Sequence, residues 1–139
     1  MEIIANAVQT VAANQNVYFT DTVTSGNYSI MHRADSGLVT LRGVTTQCRA
    51  RYKVSFGGNV AIPTGGTVGS ISLALAIDGE PAGATTMIVT PAAVEEFSNV
   101  FSAIFLDVPR DCCIRVSVQN TSTQSIEVQN ANLIVERVA

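Results

Sequence analysis

Residues Val94 to Leu106 read VEEFSNVFSAIFL, and the pairing of this stretch decides the fold. Extended, it places Phe97, Phe101, Ala103 and Phe105 on one side and Val100, Ile104 and Leu106 on the other, with Ser98 and Ser102 between the latter. A strand with one wet face alternates apolar and polar, because successive side chains switch faces. Here both faces are apolar over the second half, so both are expected to be covered. One cover is the protein's own core; the other is read as a second copy of the chain. A helix is the rival, since a short apolar run has no unique period. It would gather Phe97, Val100, Phe101 and Ile104 but leave Phe105 and Leu106 off its centre. Period-two segments on both sides of the stretch favour the strand.

Upstream, Arg51 to Ile62 sets Tyr52, Val54, Phe56, Val60 and Ile62 against Arg51, Lys53, Ser55 and Asn59. Gly57-Gly58 inside it marks a bulge or a close backbone approach. Ser70 to Asp78 alternates Ile71, Leu73, Leu75 and Ile77 with small or polar residues, and Asp78-Gly79 signals a two-residue hairpin returning through Thr85 to Thr90. Downstream, Cys112, Ile114, Val116 and Val118 oppose Arg115, Ser117 and Gln119, and a last strand runs from Ile126 to Val138. Shorter strands are expected at Val17–Phe19, Tyr28–His32 and Leu38–Leu41, separated by turns such as Thr24-Ser25-Gly26-Asn27 and the Thr45-Thr46-Gln47 loop. The pattern predicts an all-β, two-sheet jelly-roll sandwich of about ten strands. The Ser70–Asp78 and Cys112–Asn120 strands belong to a sheet with one wet face. Val94–Leu106 and Leu133–Val135, apolar on both sides, share a second sheet that packs on neighbouring subunits.

Composition agrees. Of 139 residues, 47% are hydrophobic and 14% charged, against about a quarter charged in ordinary globular chains. Much of the surface is therefore expected to be covered by protein. A formal charge of −3 without a Lys/Arg cluster argues against a nucleic-acid partner. Met1-Glu2-Ile3-Ile4 has no basic, apolar secretion signal, and no run approaches the length of a membrane span. Cys48, Cys112 and Cys113 read as buried free thiols. Residues 1–13 are expected to form an N-terminal strand or attachment segment, and 14–139 the jelly-roll domain.

The order of segments resembles the jelly-roll domain shared by tumour necrosis factor and the complement globular heads, which bacterial and phage proteins also carry. The resemblance rests on Asn16-Val17-Tyr18-Phe19, Gly37 to Leu41, Arg51 to Phe56, Leu75 to Gly79, the long aromatic strand and Ala131 to Val135. The chain departs from it at Ala50-Arg51 and Arg110-Asp111, where the family usually has Gly before the tyrosine strand and Gly-Asp before the penultimate one. The resemblance implies a homotrimer with one sheet of each subunit about the three-fold axis. Candidates for that interface are Phe97, Val100, Phe101, Ile104, Phe105, Leu133 and Val135. They come from both faces of their strands, which divide between core and axis.

Chemistry is expected to be absent. A cupin metal site needs several histidines, and the sequence has one, His32, read as a surface or interface residue. No G-x-S-x-G surrounds any serine. Asp107 and Asp111 flank a turn and read as solvated acids, ahead of a calcium pair of the kind some relatives of the fold hold. Glu95 and Glu96 are adjacent and face opposite ways, and Arg33, Arg42, Arg49 and Arg51 make a mild basic cluster. Neither a metal nor a cofactor is expected. The first functional expectation is a non-enzymatic virion-surface protein, a phage capsid decoration or head-fibre protein, made in the host cytoplasm and contacting a capsid protein but no nucleic acid or membrane. The alternative is a trimeric receptor- or carbohydrate-binding module on a phage tail or a bacterial or spore surface, using the polar loops Thr22–Asn27, Thr64–Gly69 and Asn120–Ser125.

Overall fold

Alternation along the chain produces twelve strands, all paired antiparallel, in a computed structural model that describes every residue except 27, 45, 111 and 112. In order they are β1 (Glu2–Ala5), β2 (Gln9–Val11), β3 (Asp21–Thr24), β4 (Ile30–His32), β5 (Val39–Arg42) and β6 (Arg49–Ala61). Then follow β7 (Ile71–Ile77), β8 (Glu80–Pro81), β9 (Met87–Val89), β10 (Ser98–Pro109), β11 (Cys113–Asn120) and β12 (Ile126–Arg137). One sheet runs β10-β6-β12-β1-β3, with β2 also on β12. The other runs β4-β5-β11-β7-β8, with β9 also on β7. The two strands that alternate cleanly, β7 and β11, are neighbours in one sheet, while β10 and β12 flank β6 in the other.

The core lies between the sheets. Ala50, Tyr52, Val54, Phe56 and Val60 of β6 face Leu41, Leu73, Leu75, Val116 and Val118 of the opposite sheet, all essentially inaccessible. Tyr52 spans the gap: its buried hydroxyl donates to the Arg42 carbonyl of β5 at 2.6 Å. A buried phenol needs such a partner, because its O–H has left water. Asp78 (φ 52°) and Gly79 (φ 87°) form the hairpin turn between β7 and β8, the positive φ at both positions being what such a turn requires. The strand returning past it is β9, shorter than the Thr85–Thr90 expected, with a 3-10 turn at Gly83–Thr85 before it.

Several boundaries differ from the pattern. Val94 to Phe97 is not strand; Val94 and Glu95 form a turn, with Glu95 at φ 59°, and β10 begins at Ser98. Val17–Phe19 forms bridges instead of a strand. The physical reason is Gln9, 4% exposed. Its amide donates to the Tyr18 carbonyl at 2.9 Å and accepts the Tyr18 N–H at 3.0 Å, replacing a ladder partner. Residues 1–13 are built into the sandwich: β1 lies between β12 and β3, and Ile3, Ala5 and Val11 are buried in the core. The expected turn at Asn27, the loop residue Thr45, and the roles given to Asp111 and Cys112 fall on residues outside the described ones.

Tyr52→Phe keeps the ring and removes the inter-sheet donor. It is expected to cost about 1–2 kcal/mol, the loss of one buried hydrogen bond. Urea unfolding of the two proteins checks this; equal midpoints would show that the bond contributes nothing.

Candidate functional site: the outward face of the long sheet

Since β10 alternates, filling the core from its even positions exposes the odd ones. Val100, Leu106 and Val108 are buried and Ile104 packs against the core, whereas Phe101 is 66% exposed and Phe105 61%. Cross-strand register extends this face over the sheet. Phe101 stands opposite Gly57, which stands opposite Asn132, which stands opposite Ile4. The next row is Ala103, Ser55, Ile134 and Glu2, and the next Phe105, Lys53 and Glu136. A Cβ on Gly57 would lie 3.8 Å from Phe101 Cδ2, an ordinary contact; the tighter approach is at Gly58, where a Cβ would lie 3.3 Å from Phe56 Cζ. The bulge sits across from it, in β12 between Gln129 and Asn132, with Asn130 at φ 53°.

Polar groups also close this face at both ends. At one end, Asn99 donates to Asn59 (3.2 Å) and Asn59 to Asn130 (3.3 Å), an amide chain across β10, β6 and β12. At the other, Asp107 accepts from Arg51 through both carboxylate oxygens (2.8 and 3.2 Å) and lies 3.6 Å from Arg49. The hydrogen bond from Arg51 holds the Asp107 carboxyl below its ordinary pKa, and the same bond raises the guanidinium. Exposed phenylalanines beside polar and charged groups are the mix of side chains that a protein interface covers.

The interface candidates are thus divided. Phe97, Phe101 and Phe105 face outward. Val100, Leu133 and Val135 do not: they are at most 7% exposed inside the sandwich, and half-buried Ile104 faces the same way, so assigning these four to a contact between subunits is corrected. Ile134 at 40% exposure was missed. The parity of β12 explains it: Ile126 and Val128 point inward before the bulge, Ala131, Leu133 and Val135 after it. Elsewhere, Cys48 and Cys113 are exposed, contrary to the buried reading, because Cys113 stands beside Arg42 on an outward face. Asp107 is engaged by arginine, and Asp111 lies outside the described residues. The basic cluster is split, Arg49 and Arg51 on β6 and Arg42 on β5.

The polar loops hold each other. Gln124 exchanges two hydrogen bonds with the backbone of Thr67 (3.0 and 2.6 Å), and Asn120, fully buried, donates to the carbonyls of Val11 and Gln124. Thr22 to Thr24 belongs to β3. These amides are structural. His32 directs Nε2 at the Ser36 carbonyl (2.9 Å) and sets its ring edge against Phe19.

This architecture is the jelly roll of the tumour necrosis factor and complement 1q globular domains. The globular domain of zebrafish complement 1qA is 14% identical, with 96% of this chain and 93% of that one covered at a TM-score of 0.65. The Eiger tumour necrosis factor of S. frugiperda is 14% identical over 100% and 92% of the chains (TM-score 0.67), and murine APRIL 9% identical over 97% of each (0.62). At such identities the likeness is one of fold. No family model matches the chain, and no curated protein matches its sequence.

At the end of the sheet where β10 begins, Glu95 meets Glu127 of β12. Glu95 accepts the N–H and hydroxyl of Thr64 (2.9 and 3.1 Å). A hydrogen bond with Glu127 pushes Glu95 below its ordinary pKa, and the same bond, with burial, pushes Glu127 above. A proton shared by the pair is therefore favoured on Glu127 over Glu95. A raised acid stabilises the fold below its unfolded pKa and loses that contribution as pH rises through its folded value; a lowered acid does the reverse. The pair contributes most between the two, in the acid range. Wild-type melting temperature should fall between pH 5 and pH 8 by more than that of Glu127→Gln, whose amide donates to Glu95 at both. Thermal scans at the two pH values test this, and parallel shifts would exclude a shared proton.

Proposed function

We propose that the chain is a non-enzymatic structural protein that assembles as a homotrimer through the outward face of β10, β6, β12 and β1. One observation carries the reading: Phe101 and Phe105 stand uncovered on β10, along one edge of the sheet's outward face. Burying a phenylalanine is worth about 1.5–3 kcal/mol, so two per protomer supply a substantial drive to associate. Trimerisation is what the resemblance to the tumour necrosis factor and complement domains implies, and closed rotational symmetry caps the face without open polymers. The lone histidine is spent on a backbone carbonyl, which supports a role without catalysis. Among the described residues no helix is long and apolar enough to cross a membrane.

The proposed setting is a virion surface, with a capsid protein as partner and synthesis in the host cytoplasm. The low charged fraction, which suits a surface largely covered by protein, supports it. Co-sedimentation with capsids separates this from the alternative, a trimeric receptor- or carbohydrate-binding module.

Light scattering of the purified protein should give three times the chain mass. Phe101→Glu and Phe105→Glu should give a folded protein of one chain mass. Val100→Glu, in contrast, places a charge in the core and should unfold the subunit. A wild-type protein that stays folded and monomeric at micromolar concentration would remove the proposal.

A further inference from the structure

The short sheet carries a different surface on its own outward side. Met31, Thr40 and Arg115 form a cross-strand row over β4, β5 and β11. Together with Arg33, Ser36 and Leu38 from the connecting hairpin they line a depression of about 470 Å3. Arg33 and Arg115 have no carboxylate within ion-pairing distance among the described residues, although the chain is acidic overall. Asp78, next to Arg115 across the sheet, uses its carboxylate on the Arg115 backbone N–H at 3.0 Å. Two unpaired guanidinium forks over one concavity favour a planar anion such as a carboxylate.

The rest of the surface suits a hydroxylated ring. Tyr28 is 78% exposed, yet held: the Arg42 guanidinium lies over its ring at 4.9 Å, and Arg42 Nε is 3.2 Å from Met31 Sδ at the wall of the depression. An aromatic face fixed beside a polar concavity gives the apolar side of a sugar ring a surface to stack on. Ser36 Oγ accepts the Leu38 N–H (3.0 Å), leaving its proton to donate. Hydroxyls, guanidinium groups and an aromatic plate are more than a simple anion uses.

We infer that this face binds an acidic saccharide: Arg33 and Arg115 hold its carboxylate, Ser36 and Thr40 meet its hydroxyls, and Tyr28 stacks beneath a ring. The site lies within one protomer and gives the carbohydrate-binding alternative a location, but it does not rest on trimerisation.

The test is calorimetric titration of the full chain with oligosaccharides bearing uronate or sialate, their neutral counterparts, sodium sulfate and a poly-glutamate peptide. An acidic oligosaccharide should bind and its neutral counterpart should not. Arg33→Gln with Arg115→Gln should weaken binding by about tenfold or more, the order expected for losing charge-assisted hydrogen bonds. Tyr28→Ala should weaken the saccharide alone, with no change in melting temperature. Phe101→Glu should bind as the wild type does, which separates this site from the assembly face. The inference is overturned if no acidic glycan binds at millimolar concentration, or if neutral glycans bind equally. It also falls if sulfate or poly-glutamate binds as tightly, or if the arginine variants are unaffected.

Discussion

A strand sends alternate side chains to opposite faces, and most of this molecule follows from that constraint acting on β10. Its core is filled by Val100, Leu106 and Val108, and the pleat then forces Phe101 and Phe105 outward. Slipping the register by one residue would exchange the sets, placing phenylalanines where valines fit and exposing the valines. Apolar residues on both faces are thus compatible with a single register only because the interior is packed to shape.

Buried polar side chains connect the layers. Tyr52 ties β6 to the backbone of β5, Gln9 ties the N-terminal strands to the irregular segment at Tyr18, and Asn120 ties Val11 to the Gln124 loop. Each satisfies backbone groups that would otherwise be stranded in the interior, a loss of about 1–3 kcal/mol apiece. Such bonds hold both ends of β2, and ladders to β12 hold β1 and β2, which is why the N-terminal segment belongs to the sandwich.

What the sequence makes legible is whatever depends on period and turn chemistry. The sorting of four long strands into two sheets, the core face of β6 and the Asp78-Gly79 hairpin are all read from alternation and one turn dipeptide. Positions that depend on irregular backbone are less accessible. Ile134 is placed outward by a bulge, although the shift of apolar residues from even to odd positions after Gln129 is a visible trace of it. Phe97 precedes β10 because Glu95 takes a left-handed conformation, which a carboxylate-bearing residue does not announce. The stacking of Arg42 on Tyr28, and the placing of Arg33 and Arg115 around one depression, join separate segments of the chain; no local pattern encodes them.

A two-layer sandwich has two outer faces, and here they differ in kind. The long sheet presents phenylalanines framed by amides and ion pairs; the short sheet presents unpaired arginines, hydroxyls and a stacked tyrosine. If the long sheets of several protomers pack together, the short sheets are left on the outside of the assembly, separated by the thickness of each sandwich. On the proposed trimer, three weak sites held in that geometry would bind a repeating glycan surface as one multivalent unit, with avidity gains on the order of 10²–10⁴ where the spacing permits simultaneous contact. The apolar face then matters for recognition without touching a ligand, because it sets how many copies of the arginine face are displayed and how far apart they stand.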